Sequence, residues 1–321
     1  MKKKILIALT ALVLVLVIAL GGVGMYMVDF GITRKEGLHD VAPESAVTAE
    51  NSSVITDNYV AIANAAEKWL AGAVIEDQTI VSDDGLTLAG EVYWTDPESH
   101  LWMLGVHGYT SKKEDYHNVA SVFAGRGYNI LLPDMRAHGE SEGKYIGMGW
   151  LDRKDMLRWI DLIVDLDPGA QIILHGTSMG GAAVMMTAGE NLPENVRGIV
   201  EDCGYSSVWD IFRDELKLLF GLPPFPVLYS ASIVSKLQAG YSFGEGSAVK
   251  QLTNAKVPML FIHGGEDNFV RTDMVYEVYE ACPTTKDILV VEGAGHGEAY
   301  AMDPELYFDT VFSFIEENCI G

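Results

Sequence analysis

The sequence predicts an α/β fold: a mostly parallel central sheet with helices on both faces, a helical cap insertion, and one apolar N-terminal helix ahead of it. Three observations lead there. From Leu101 to the C-terminus, short apolar runs alternate with helical patterns, as strands joined by crossover helices do. A segment rich in Phe, Leu and Pro, about residues 205–250, interrupts that alternation. Residues 5–28 carry no charged side chain, and a helix needs roughly 20 apolar residues to cross a bilayer.

Taken in chain order, residues 1–28 read as a membrane anchor. Lys2, Lys3 and Lys4 precede the apolar run, and positive flanks stay in the cytoplasm, so the remaining chain is expected on the extracytoplasmic side of the cell membrane. The competing reading is a signal peptide, cleaved to give a secreted protein. Such peptides have a shorter apolar region followed by a small-x-small cleavage site, whereas this run is longer and shows no clear site. Residues 29–53 turn polar, with Gly, Pro and Ser, and read as a tether. The domain then occupies residues 54–321.

Within it, "YVAIANAAEKWLAGA" has apolar residues at helical spacing, and "QTIVSDDGLTLAGEVYW" reads as a hairpin around Asp-Asp-Gly. "LWMLGVHG", "YNILLPD", "QIILHG", "VRGIVEDCG", "VPMLFIHGG" and "KDILVVEGAG" are strand-like. Helical stretches separate them, and "PELYFDTVFSFIEEN" closes the chain. The insertion "WDIFRDELKLLFGLPPFPVLYSASIVSKLQAG" is expected as two helices over the end of the sheet. Its Trp209, Phe212, Phe220, Phe225 and Tyr229 suit either an apolar acyl pocket or plain core.

Composition excludes several function classes. Lys plus Arg number 22 against 45 Asp plus Glu, a formal charge of -23. That charge repels phosphate backbones, so nucleic acid is not an expected partner. Cys203, Cys282 and Cys319 are far apart and form no CxxC. Neither a zinc site nor a disulfide framework is indicated, and buried thiols are expected. A Cys282–Cys319 bridge stays open at this point.

The chemistry centres on "ILHGTSMGGA". Ser178 follows a strand and opens a helix, between Gly176 and Gly180. In an open parallel sheet, ligands bind beyond the carboxyl ends of the strands. A sharp turn there lifts the hydroxyl above the sheet edge, and the helix start brings the Met179 N–H toward a developing oxyanion. A serine hydroxyl is a weak nucleophile and needs a base that is itself oriented by an acid. Asp267, after "FIHGG", and His296, after "VVEGAG", stand at later strand ends in the required chain order. Gly108 lets the chain turn after its strand, so the Tyr109 N–H is the expected second oxyanion donor.

Each role has rivals. Asp202 ends "GIVEDCG" and could supply the acid; Glu266 adjoins Asp267 but should point elsewhere. His107, His138, His175 and His263 also lie near strand ends and are expected to bond to backbone. Arg136 and His138, in "PDMRAHGES", are expected to hold loops together.

At this point "VHGY", "PDMRAHGES", "HGTSMGG", "GGEDNFV" and "GAGHGEAY", in that order, resemble the α/β-hydrolase superfamily. The resemblance runs from about residue 77 to 321. It is strongest to bacterial membrane-anchored serine hydrolases of the esterase, lipase and aminopeptidase kind. It implies Ser178 as nucleophile, Asp267 and His296 as its partners, Tyr109 and Met179 as backbone oxyanion donors, and neither a metal nor an organic cofactor. Arg271 departs from the pattern, standing where relatives commonly carry Pro. The expected function is hydrolysis of carboxylic esters with apolar acyl or aryl groups through an acyl-enzyme. The alternatives are a peptidase or amidase and, further off, a membrane-tethered binding protein without catalysis, because a fold does not dictate a function.

Overall fold

The computed structural model describes residues 2–34 and 48–320. Eleven helices and eight strands follow one another among them: α1 (Lys2–Ile32), α2 (Ala49–Leu70), β1 (Val74–Val81), β2 (Thr87–Trp94), β3 (Leu101–Val106), α3 (His117–Ala124), β4 (Asn129–Pro133), α4 (Asp152–Leu166), β5 (Gln171–Thr177), α5 (Met179–Ala188) and β6 (Val196–Asp202). Next come α6 (Val208–Phe220), α7 (Val227–Gln238), α8 (Ala248–Leu252), β7 (Met259–Gly264), α9 (Asp273–Ala281), β8 (Lys286–Val291), α10 (Ala299–Met302) and α11 (Pro304–Asn318).

The strands form one sheet in the order β1-β2-β4-β3-β5-β6-β7-β8. β1 and β2 make the expected antiparallel hairpin, and β2 runs antiparallel to β4. From β4 across to β8 every pairing is parallel. Side chains alternate across this sheet, and both sides are covered. Trp102 and Leu104 of β3 pack into one core with Trp159 and the α5 side chains. Met103, between them, points into the other core with Phe123 and Tyr307. α5 is buried along its whole length, which suits a helix apolar on every face.

Helix α1 runs through Ile32, past the expected anchor boundary, and α2 begins at Ala49. The Thr48 hydroxyl accepts the Asn51 N–H at 3.2 Å and so caps the start of α2. Residues 35–47 of the expected tether lie outside the described residues. α1 is long and apolar enough to cross a membrane, and its first half is exposed. Its last three turns bury one helical face, Gly24, Val28 and Ile32. The Ser230 hydroxyl of α7 donates to the Leu20 carbonyl at 2.6 Å. The Ile146 N–H donates to the Ile32 carbonyl at 2.7 Å, and the Arg34 guanidinium to the carbonyls of Ser141 and Gly139, each at 2.6 Å.

The insertion between β6 and α8 holds two helices, α6 and α7. Cys203, Cys282 and Cys319 are free, buried thiols, so the bridge left open by the sequence does not form.

Candidate active site

Ser178 leaves β5 and caps α5 with φ 59° and ψ -117°, a conformation that costs a non-glycine residue on the order of 1–3 kcal/mol. The turn holds because its surroundings leave it no other path. The Ser178 N–H donates to the Asp202 carbonyl at 2.8 Å. A Cβ on Gly176 would lie 2.3 Å from the Gly180 carbonyl oxygen, and one on Gly180 would lie 2.0 Å from that of Val106. The two glycines therefore permit close backbone approach, which is more than leaving room for the serine hydroxyl.

The structure brings the three expected side chains together. His296 Nε2 is 2.8 Å from Ser178 Oγ, and His296 Nδ1 is 2.7 Å from Asp267 Oδ2. Asp267 Oδ1 accepts the N–H groups of Phe269 and Val270, both at 3.0 Å, which fixes the carboxylate plane. Burial pushes the Asp267 carboxyl up, yet hydrogen bonds from His263 and His296 outweigh it and hold the group at about 2. The carboxylate is thus charged at neutral pH and faces the imidazole.

The oxyanion candidates lie beside the serine. Met179 is the first residue of α5, where N–H groups have no acceptor within the helix. A Cβ on Gly108 would sit 3.4 Å from Ser178 Cβ, so the backbone entering Tyr109 passes alongside the nucleophile position. The Tyr109 side chain turns away, and its hydroxyl donates to the Gly31 carbonyl of α1 at 2.8 Å.

The rivals take other roles. Asp202 accepts the Tyr307 hydroxyl at 3.0 Å, and burial pushes its carboxyl up to about 6. His107 Nδ1 bonds the Gly108 carbonyl at 2.8 Å while its Nε2 accepts the Met135 N–H. His138 likewise ties Arg136 to Thr110. Arg136 reaches Asp155 and Asp84, joining the hairpin turn to α4. His175 departs from expectation. Its ring bonds the hydroxyls of Tyr116 at 2.6 Å and Tyr307 at 3.0 Å, not backbone, because it is buried where α3 and α11 converge on the sheet.

His263 does more than the sequence suggested. Its Nε2 bonds the Val270 carbonyl at 2.8 Å, as expected, but also lies 3.3 Å from Asp267 Oδ2. The only sequence signal was its position four residues before Asp267. Arg271 joins the acid loop to α6 through Asp214 at 3.5 Å, an ion pair that proline could not make.

Cys203, Asp267 and His296 bring donor atoms within 4.8 Å of one another. They are a poor metal set. Both imidazole nitrogens are already engaged, and burial pushes the Cys203 thiol well up, away from the thiolate a metal needs.

Residues 97–218 match the family model described as serine aminopeptidase, S33. An uncharacterized protein of Bacillus subtilis, YqkD, is 27% identical over 316 residues, 98% of this chain and 97% of its own. Esterase Pf2001 of Pyrococcus furiosus superposes with a TM-score of 0.63 at 26% identity, over 77% of this chain and 92% of that one. Acylaminoacyl peptidase of Pyrococcus horikoshii does so with a TM-score of 0.59 at 18% identity, over 77% of this chain and 42% of that one, a likeness of fold alone. Its central sequence pattern matches a hydrolase family model and its fold superposes on that of an esterase: the chain has the α/β-hydrolase fold, and these likenesses support a hydrolase.

Proposed function

We propose that the protein is a serine hydrolase that cleaves small carboxylic esters with apolar acyl or aryl groups. The observation that carries this is the hydrogen-bonded chain from Ser178 Oγ through the His296 imidazole to the Asp267 carboxylate. In this reading Ser178 Oγ attacks the ester carbonyl carbon while His296 Nε2 takes the hydroxyl proton. Asp267 keeps Nδ1 protonated and steadies the imidazolium. The N–H groups of Met179 and Tyr109 receive the oxyanion, where one donor is worth about 3–4 kcal/mol of barrier. The tetrahedral adduct collapses, the alcohol leaves with the proton from His296, and an acyl-Ser178 remains. Water, deprotonated by His296, then attacks that acyl group, and Ser178 recovers its proton as the acid departs.

The ester reading is supported by the likeness to esterase Pf2001. A second reading, peptidase or amidase, is favoured by the serine aminopeptidase family model. α1 is taken as a retained single-pass anchor that leaves the catalytic domain on the extracytoplasmic face. Its length and apolar composition support a span, the buried face of its last turns supports retention, and Lys2, Lys3 and Lys4 before it support that orientation.

The test uses the full chain in detergent with a chain-length series of p-nitrophenyl esters beside an aminoacyl p-nitroanilide panel. Ester turnover and fluorophosphonate labelling, both lost in Ser178→Ala, are expected. Turnover of anilides alone selects the peptidase. Labelling that persists at another serine rejects Ser178.

A further inference from the structure

We infer that the α7 side of the cap is a second membrane-contacting surface, lying against the phospholipid bilayer that α1 enters. The inference rests on reading α1 as membrane-spanning. Beyond α1, the segment 218–237 carries a dense group of large exposed apolar side chains, including Leu218, Leu219, Phe225, Tyr229, Ile233 and Leu237. The last four recur every fourth residue along α7 and its entry, with Ile233 64% and Leu237 80% exposed. The opposite face of α7 is buried through Leu228, Ala231 and Val234. A helix apolar on both faces has one face too many for a domain surrounded by water.

Two observations identify the bilayer as the occupant. The first is continuity with α1. Ser230 of α7 bonds Leu20, and a Cβ on Gly24 would lie 2.6 Å from Ser230 Oγ. Farther along, Tyr145, whose backbone pairs with Thr33, donates its hydroxyl to Gln238 at 3.4 Å. α7 therefore runs alongside the end of α1 in the same direction, with its start nearest the middle of α1. A span of roughly 20 residues counted from Lys4 ends near Gly24, opposite Ser230. The entry to α7 thus stands at the membrane boundary, and no rotation of the domain about α1 moves it away.

The second observation is charge. In a chain of net charge -23, residues 216–244 contain no Asp or Glu; of their two Lys, Lys236 is ion-paired with Glu245 at 2.8 Å, just past the window. An acidic surface is repelled by anionic headgroups, whereas an apolar face without acidic groups meets no such repulsion. The same region reaches toward the candidate site. The Phe220 ring lies 5.5 Å from that of Phe30, next to Gly31, whose carbonyl binds Tyr109.

The experiment places a nitrobenzoxadiazole label on Phe225→Cys or Tyr229→Cys, at the entry of α7, in the full chain, where the native cysteines are buried. Leu12→Cys in α1 reports the anchor, and Val81→Cys, on the hairpin, reports water. Each is reconstituted in phosphatidylethanolamine–phosphatidylglycerol vesicles containing lipids with an acyl-chain nitroxide. The expected result is loss of most emission at residues 12, 225 and 229 and none at 81. Quenching at 12 but not at 225 and 229 overturns the inference and leaves the anchor standing. No quenching at 12 overturns both. Labels at 225 and 229 shielded from lipid quencher and aqueous iodide alike mark a second copy of the chain as the occupant, which also overturns it.

Discussion

The Tyr109 hydroxyl donates to the Gly31 carbonyl at 2.8 Å, so the residue beside Ser178 is tied to the last turn of the apolar N-terminal helix. Burial pushes that hydroxyl up to about 12, and it stays a donor throughout the physiological range. The anchor candidate and the catalytic domain therefore share one piece of architecture. What happens at the end of α1 reaches the loop that approaches the nucleophile position.

Shortening α1 should accordingly affect the domain. Ile32 is fully buried, and Ile32→Ala is expected to cost about 2–5 kcal/mol. Tyr109→Phe should cost only about 1 kcal/mol, the worth of one hydrogen bond. Thermal melts of the full chain in detergent check both. A protein starting at Thr48 should melt lower than the full chain and turn over p-nitrophenyl esters more slowly, and equal values would separate α1 from the domain.

Strain at Ser178 makes a second prediction. With φ at 59°, Ser178→Ala keeps a strained Cβ, whereas Ser178→Gly relieves it. Both variants should lose fluorophosphonate labelling, yet the glycine form should be the more stable by about 1–2 kcal/mol. Urea melts of the two decide it, with equal midpoints counting against a strained elbow.

Asp267 sets a pH window. Its folded value, about 2, lies below its ordinary 3.8. The folded state therefore binds this proton less well than the unfolded chain, and the group stabilises folding above about pH 4 and loses that effect as pH falls through 2. The shift corresponds to about 2 kcal/mol. Asp267→Asn should flatten this acid limb of stability and reduce kcat by roughly 10³–10⁴-fold through the wrong imidazole tautomer. His263→Gln should raise the midpoint of the same limb, because it removes a partner of the carboxylate. An unchanged limb would release His263 from that role.

Glu201 has the opposite sign. It is fully buried in β6, where one oxygen accepts the Gly204 N–H at 3.0 Å and the other has no partner. Burial pushes its carboxyl from 4.5 up to about 8. Here the folded state holds a proton that the unfolded chain releases, so stability falls as pH climbs from about 4.5 to 8 and levels beyond. Glu201→Gln keeps the acceptor and removes the charge. It should melt close to the parent at about pH 5 and clearly higher at about pH 9, and parallel profiles would rule out a titrating Glu201.

Much of the site was legible because it is local. A strand, a glycine-flanked serine and a helix are adjacent in the chain, and strand ends carrying Asp267 and His296 follow in order. The glycines at 176 and 180 were visible as letters, but the reason for them, contact with the Gly180 and Val106 carbonyls, is a property of packed strands. The partners of His175 lie 59 and 132 residues away, so no window of sequence could name them.

The amino-acid sequence by itself determined the α/β class, the hairpin, the chain order of the candidate triad and the presence of one long apolar run near the N-terminus. These depend on periodicity, turn chemistry and composition, which act over a few residues. Only the tertiary structure decided which side of α1 meets protein. Val28 and Ile32 are as apolar as the exposed residues before them, because a lipid and a protein core ask for the same side chains. Likewise only packing could set His263 against Asp267 and Tyr109 against Gly31. Those contacts depend on where separate elements come to rest, and free energy of burial rewards the total apolar area without specifying the neighbour.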